Sequence, residues 1–131
     1  MMMLHLSEND PLLFTETHEY VRISEDRAFI GLSEPILQRL GEVTHLELPE
    51  IGSVLQAGDV FATLDTVNGG EIELTSPISG EVTGVNSQLE ENLLPLTTNP
   101  YQDGWLVEVA FSIPAELEDL VPRKEYENGW V

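Results

Sequence analysis

Leu64-Asp65-Thr66-Val67-Asn68-Gly69-Gly70-Glu71-Ile72-Glu73-Leu74-Thr75-Ser76-Pro77-Ile78-Ser79-Gly80-Glu81-Val82 reads as a β-hairpin that runs on into a second turn. Apolar runs from Val60 to Val67 and from Ile72 to Leu74 flank Asn68-Gly69-Gly70, and Asn and Gly accept the positive φ angles of a tight connection at little steric cost. Glu71 and Glu73, spaced i, i+2, point to one face of the second strand. Two carboxylates there could form an acid/base pair, but a solvated strand face beside an exposed turn is the plainer reading.

Outward from the hairpin the same short-strand pattern repeats. Tyr20–Ile23 and Ala28–Leu32 form a second hairpin across Ser24-Glu25-Asp26-Arg27, and Val43–Leu48, Glu81–Val85 and Trp105–Phe111 read as further strands. Ser33-Glu34-Pro35 opens a helix of about two turns, with serine as N-cap and proline in the first turn. Ile36, Leu37 and Leu40 make its apolar stripe and Gly41 its left-handed stop. Ser112-Ile113-Pro114-Ala115-Glu116 signals a second helix with Leu117, Leu120 and Val121 facing inward and Pro122 ending it, and Glu125–Trp130 adds a last turn. Gly52–Asp59 and Ser79–Asn86 are loosely similar and lie on either side of the Asn68 hairpin, which suggests an internal two-fold. Strands this short bury enough apolar area only when two sheets face each other.

Ser76-Pro77-Ile78-Ser79-Gly80-Glu81-Val82 resembles the segment that follows the modified lysine in lipoyl and biotinyl domains. Thr17-His18-Glu19-Tyr20-Val21-Arg22, Leu46-Glu47-Leu48-Pro49-Glu50-Ile51-Gly52 and Asn99-Pro100-Tyr101-Gln102-Asp103-Gly104-Trp105-Leu106 stand in the order and nearly the spacing of the glycine cleavage system H protein family, from about Phe14 to Tyr126. The resemblance implies a mainly β fold: a lipoyl/biotinyl-type barrel-sandwich hybrid, a flattened β-sandwich with short peripheral helices. It also implies a single domain over residues 1–131, with 1–13 as a loosely ordered extension. In that family the hairpin reads approximately Glu-Ser-Val-Lys-Ala and its lysine bears lipoate. Here Asn68 stands in the lysine's place, Gly69 and Gly70 complete the tip, and one residue is inserted before Ser76-Pro77. Lipoate is attached as an amide of a lysine ε-amine, and neither a carboxamide nor glycine offers one. The basic residues are Arg22, Arg27, Arg39, Arg123 and Lys124, so the sole lysine lies outside the hairpin. Asn68 is also simply a good turn residue.

The chain has 131 residues, 41% of them apolar, enough for one compact domain with a real core. It has no cysteine, which excludes disulfides and thiolate chemistry. No basic residue precedes Arg22, so the start lacks the pattern of a secretory or transit peptide, and no apolar run approaches the roughly 20 residues that span a bilayer. A cytoplasmic protein is expected. The formal net charge of −19 disfavours nucleic acid and anionic membranes, and it serves either solubility or docking to a basic partner. The three histidines, His5, His18 and His45, lack metal-ligand spacing; His18 reads as structural and His45 as a partly buried packing residue. Trp105 reads as core. There is no nucleophile elbow, P-loop or dinucleotide fingerprint.

These observations predict a non-enzymatic H-like protein with no catalytic residues, no metal and no cofactor, which docks to protein partners such as glycine cleavage or lipoate-attachment enzymes. The alternatives are a genuine lipoyl carrier of the glycine cleavage system and an interaction domain repurposed in an unrelated pathway. Nothing in the sequence specifies an oligomeric state.

Overall fold

The computed structural model describes residues 12–67 and 70–129. The strands are β1 (Leu12–Phe14), β2 (Glu19–Ser24), β3 (Arg27–Leu32), β4 (Val43–Glu47), β5 (Val54–Leu55), β6 (Val60–Thr66), β7 (Gly70–Thr75), β8 (Gly80–Val85), β9 (Val107–Phe111) and β10 (Val121–Pro122). Between and after them lie α1 (Glu34–Leu40), α2 (Gln88–Glu91), α3 (Leu94–Thr98), a 3₁₀ turn (Pro114–Asp119) and α4 (Arg123–Gly129). One sheet runs β10-β1-β2-β3-β9-β8-β5 and the other β4-β6-β7, with antiparallel pairing throughout.

The two sheets meet across a shared apolar layer. Val21, Ile30, Leu32, Val82, Val107 and Val109 come from the larger sheet, and Leu46, Phe61, Leu64 and Leu74 from the smaller one. Ile78 lies in the connection between them, and Leu89 and Leu96 of α2 and α3 are fully buried in the same cluster. Each such side chain removed from water is worth about 1.5–3 kcal/mol, so the short strands hold only as facing layers. A second cluster joins Leu12, Phe14, Tyr20 and Tyr126. Its rings are tightly set: Phe14 stacks on Tyr126 at 4.5 Å, and Tyr101 meets Tyr20 edge-on at 5.2 Å.

Local chemistry accounts for the elements. The β2–β3 hairpin pairs Ser24 with Arg27 across a two-residue loop in which Glu25 adopts a left-handed φ of 58°. Ser33 caps α1, its Oγ accepting from the Ile36 N–H at 3.4 Å, and Gly41 closes the helix with φ 80° while its N–H donates to the Leu37 carbonyl. The two similar stretches expected around the hairpin are bonded to each other: Val54 pairs with Glu81, and the Val82 carbonyl and N–H bond Gly52 and Ser53.

Several expectations are corrected. Leu12 and Leu13, placed in a loose 1–13 extension, belong to β1, which is bonded to both β2 and β10; residues 1–11 lie outside the described residues. The second helix expected after β9 is present as a 3₁₀ helix, Pro114–Asp119, with a different cap and stop. Ile113, not Ser112, stands at its N-cap and gives no side-chain cap bond, while the Ser112 N–H donates to the Ser79 carbonyl. Pro122 does not stop a helix but pairs with Leu13 just before α4 begins. His45 is exposed, because a bulge between Val43 and His45 shifts the alternation so that Val43 and Leu46 face the core. Trp105 is only half-buried, lying edge-on to Phe29 at 5.2 Å, and its neighbour Leu106 takes the core position.

Candidate functional site

The expected site has two ends, both built on β7. At one end is the hairpin tip. Thr66 pairs with Gly70, which leaves Val67-Asn68-Gly69 as a three-residue connection, and Gly70 re-enters the strand with φ 78°. Asn68 and Gly69 lie outside the described residues. Val67 is exposed and its N–H donates to the Glu42 carbonyl at 3.0 Å, tying the base of the tip to the start of β4.

At the other end, β7 runs into the turn that links the sheets. The Ser76 N–H donates to the Asp59 carbonyl at 2.8 Å and Ser76 Oγ donates to the Ile78 carbonyl at 2.7 Å. Ser79 donates twice to Glu116, from its N–H at 2.6 Å and from its Oγ at 2.8 Å. Gly80 is required by space, since a Cβ there would sit 2.3 Å from the Ala110 carbonyl oxygen. The Ser-Pro-Ile-Ser-Gly run is thus a junction in which serines hold the turn and glycine lets two backbones touch.

Beside this junction lies a cleft of about 460 Å3 whose wall includes Thr15, Thr17, Glu19, Thr75, Ser76 and Asp119. Glu19 is 3% exposed. Thr15 Oγ1 donates to its carboxylate at 2.8 Å and Thr17 Oγ1 at 2.5 Å, while the Glu19 N–H donates back to Thr15 Oγ1. Burial pushes the carboxyl above its ordinary value of 4.5. The hydroxyls of Thr17 and Thr15 and the backbone N–H groups of Glu19 and Thr75 pull it part of the way back. A carboxylate so placed takes up a proton more readily than an exposed one, and when ionised it favours a cation entering the cleft. Glu19 was missed as a site residue. The signal available was Thr15-x-Thr17-x-Glu19, two hydroxyl side chains spaced to reach one acid.

The neighbouring His18 is structural in its contacts. Its φ is 74°, its carbonyl accepts from the Ser33 N–H, and its Nδ1 is 2.8 Å from Tyr126 Oη, which also meets Ser33 Oγ at 2.7 Å. Burial, and then the Arg39 charge, lower its pKa from 6.5. Glu71 and Glu73 are exposed on β7, as their spacing suggested. Among the described residues no group of three or more His, Asp or Glu side chains is arranged to hold a metal ion, and no helix is long and apolar enough to cross a membrane.

A hairpin tip at one end of β7 and a bonded Ser-Pro-x-Ser-Gly junction at the other coincide with a family model. The model of the glycine cleavage H-protein matches residues 12–130. The chain belongs to the glycine cleavage H-protein family. A glycine cleavage system H protein from Rippkaea orientalis is 40% identical over 125 residues, covering 95% of this chain and 94% of that protein. One from Rubrobacter xylanophilus is 44% identical over 115 residues, covering 88% of each. The crystal structure of a glycine cleavage system H protein from Mycobacterium marinum superposes with a TM-score of 0.81 at 24% identity, covering 92% of this chain and 98% of that one, so the fold is shared.

Proposed function

We propose that this chain is an H-type protein that docks to the enzymes of glycine cleavage, or to those that attach lipoate, without itself carrying a lipoyl group. Family membership over residues 12–130 supports the docking role. The absence of cargo rests on one chemical fact: the linkage needs an amine, and the chain's single lysine, Lys124, lies in the first turn of α4 rather than in the β6–β7 hairpin, where Asn68 stands.

A second reading, a genuine lipoyl carrier of the glycine cleavage system, is favoured by the relatives. They are glycine cleavage system H proteins matched over nearly their full lengths, and on the comparisons alone this reading fits better than the first. It requires an attachment residue other than Asn68. The two readings part in a reconstituted glycine cleavage assay. As a docking module, the chain supports no turnover as the sole H-type component and competes with a lipoylated H protein. As a carrier, it sustains turnover. Failure to compete together with failure to turn over would remove both. The protein partners, a cytoplasmic setting and a single domain over the whole chain belong to this proposal.

A further inference from the structure

Three parts of the fold meet at one phenol. His18 comes from the β1–β2 connection, Ser33 from the cap of α1, and Tyr126 from α4. Tyr126 Oη lies 2.8 Å from His18 Nδ1 and 2.7 Å from Ser33 Oγ, and Ser33 Oγ in turn accepts from the Ile36 N–H at 3.4 Å. Ser33 and Tyr126 are buried, while His18 is half-buried and open to solvent protons.

Counting hydrogens gives this array a direction. A hydroxyl supplies one hydrogen and accepts up to two, and a neutral imidazole has one accepting nitrogen. With the His18 proton on Nε2 every hydrogen finds an acceptor: the Ile36 N–H donates to Ser33 Oγ, the Ser33 hydroxyl to Tyr126 Oη, and the Tyr126 hydroxyl to Nδ1. A proton on Nδ1 reverses the order. The ring N–H then donates to Tyr126 Oη and the phenol to Ser33 Oγ, which already receives the Ile36 N–H. The Ser33 hydrogen is left without an acceptor in the array at a fully buried position, which costs stability.

We infer that the array is a pH-sensitive latch, in which neutral His18 holds α4 against the cap of α1 and protonation of the ring loosens α4. Burial, and then the charge of Arg39 on α1, oppose a positive ring in the same sense. The other charged groups around the array are Glu127 of α4 and Glu19 of β2, with Glu34 and Arg123 beside Tyr101. Tyr126 closes the cluster of Leu12, Phe14 and Tyr20, so loosening α4 uncovers apolar surface on the seven-stranded sheet. The latch works alike whether or not the chain carries a lipoyl group.

The test is ring ¹⁵N NMR with amide hydrogen exchange on the full chain as pH is lowered through 6.5. Above that value Nδ1 of His18 should resonate as the bare, accepting nitrogen and Nε2 as the N–H. As the ring takes up its proton, protection of the amides of Ile36 and residues 126–129, corrected for intrinsic exchange rates, should fall together by roughly five- to a hundredfold, as one orphaned buried hydroxyl implies. His18→Gln should make that protection independent of pH, and Tyr126→Phe should leave it low throughout. A proton on Nδ1 above 6.5, protection that does not follow the His18 titration, or a pH response that persists in His18→Gln would each overturn the latch, the last by handing the effect to Glu19.

Discussion

The two sheets follow the same alternation of apolar and polar residues, yet their outer faces are treated differently. On the seven-stranded sheet cations stand among the carboxylates. The Arg22 guanidinium lies 4.8 Å from the Phe29 ring centre, and Arg27 approaches both Glu108 and Asp26 at 3.7 Å. Thr83 adds a hydrogen bond to Glu108. On the three-stranded sheet no cation occurs on any strand, and carboxylates face one another across β6 and β7. One face is completed by its own chain. The other, which carries the β6–β7 hairpin, has no lysine or arginine on its own strands.

The start of β8, where the chain enters the seven-stranded sheet and lies against β9, is where the comparison breaks most easily. Gly80→Ala drives a Cβ into the Ala110 carbonyl, so it should cost about 3 kcal/mol or more in a urea melt. Gly58→Ala, with φ 98° but open space around it, should cost only about 1 kcal/mol. Equal losses would mean that backbone conformation, and not the close approach of β8 to β9, sets the requirement.

The next effect lies on the compensated side. Tyr126→Phe keeps the stack on Phe14 but removes the hydroxyl shared by His18 and Ser33, and should cost about 1–2 kcal/mol. An unchanged melt would show that the ring alone anchors α4.

The pH dependence comes third. Burial raises the Glu19 carboxyl, so the folded state holds that proton more tightly than the unfolded chain. Its stabilising contribution is fully present below 4.5 and is lost as pH rises through the raised folded value. The stability of the wild type relative to Glu19→Gln should therefore fall as pH rises above 4.5, and a constant difference would refute the assignment. His18 has the opposite sign. Its lowered pKa makes a contribution present above 6.5 that is lost as pH falls through the folded value, and His18→Gln should abolish that loss.

The smallest effect belongs to the uncompensated face. Glu71→Gln relieves the opposition to Asp65 and should stabilise the protein by a few tenths of a kcal/mol at low salt, fading as salt rises. Destabilisation would mean that the carboxylate holds an unsuspected partner.

The sequence carried much of this. Turn residues and period-2 alternation located both hairpins, and Ser33, Pro35 and Gly41 marked α1 from cap to stop, because these are local effects of backbone chemistry. The errors fall where tertiary packing decides. His45 turned outward because one bulged residue on β4 reset the alternation, and Trp105 left the core because Leu106 met it first. β1 and β10 were missed because two- and three-residue strands have no period to read and exist through each other's hydrogen bonds. The cleft was illegible for a related reason: Glu19 looks like any surface acid until Thr15, Thr17 and Thr75 are folded around it.

The most direct test of the central claim, an H-family hairpin without an amine to load, is the intact mass of the protein after co-expression with a lipoate ligase and a lipoylated H protein as positive control. The account predicts the unmodified mass for this chain alongside full modification of the control. A gain equal to one lipoyl amide, located by fragmentation on Lys124 or any other residue, would contradict it and establish the chain as a carrier.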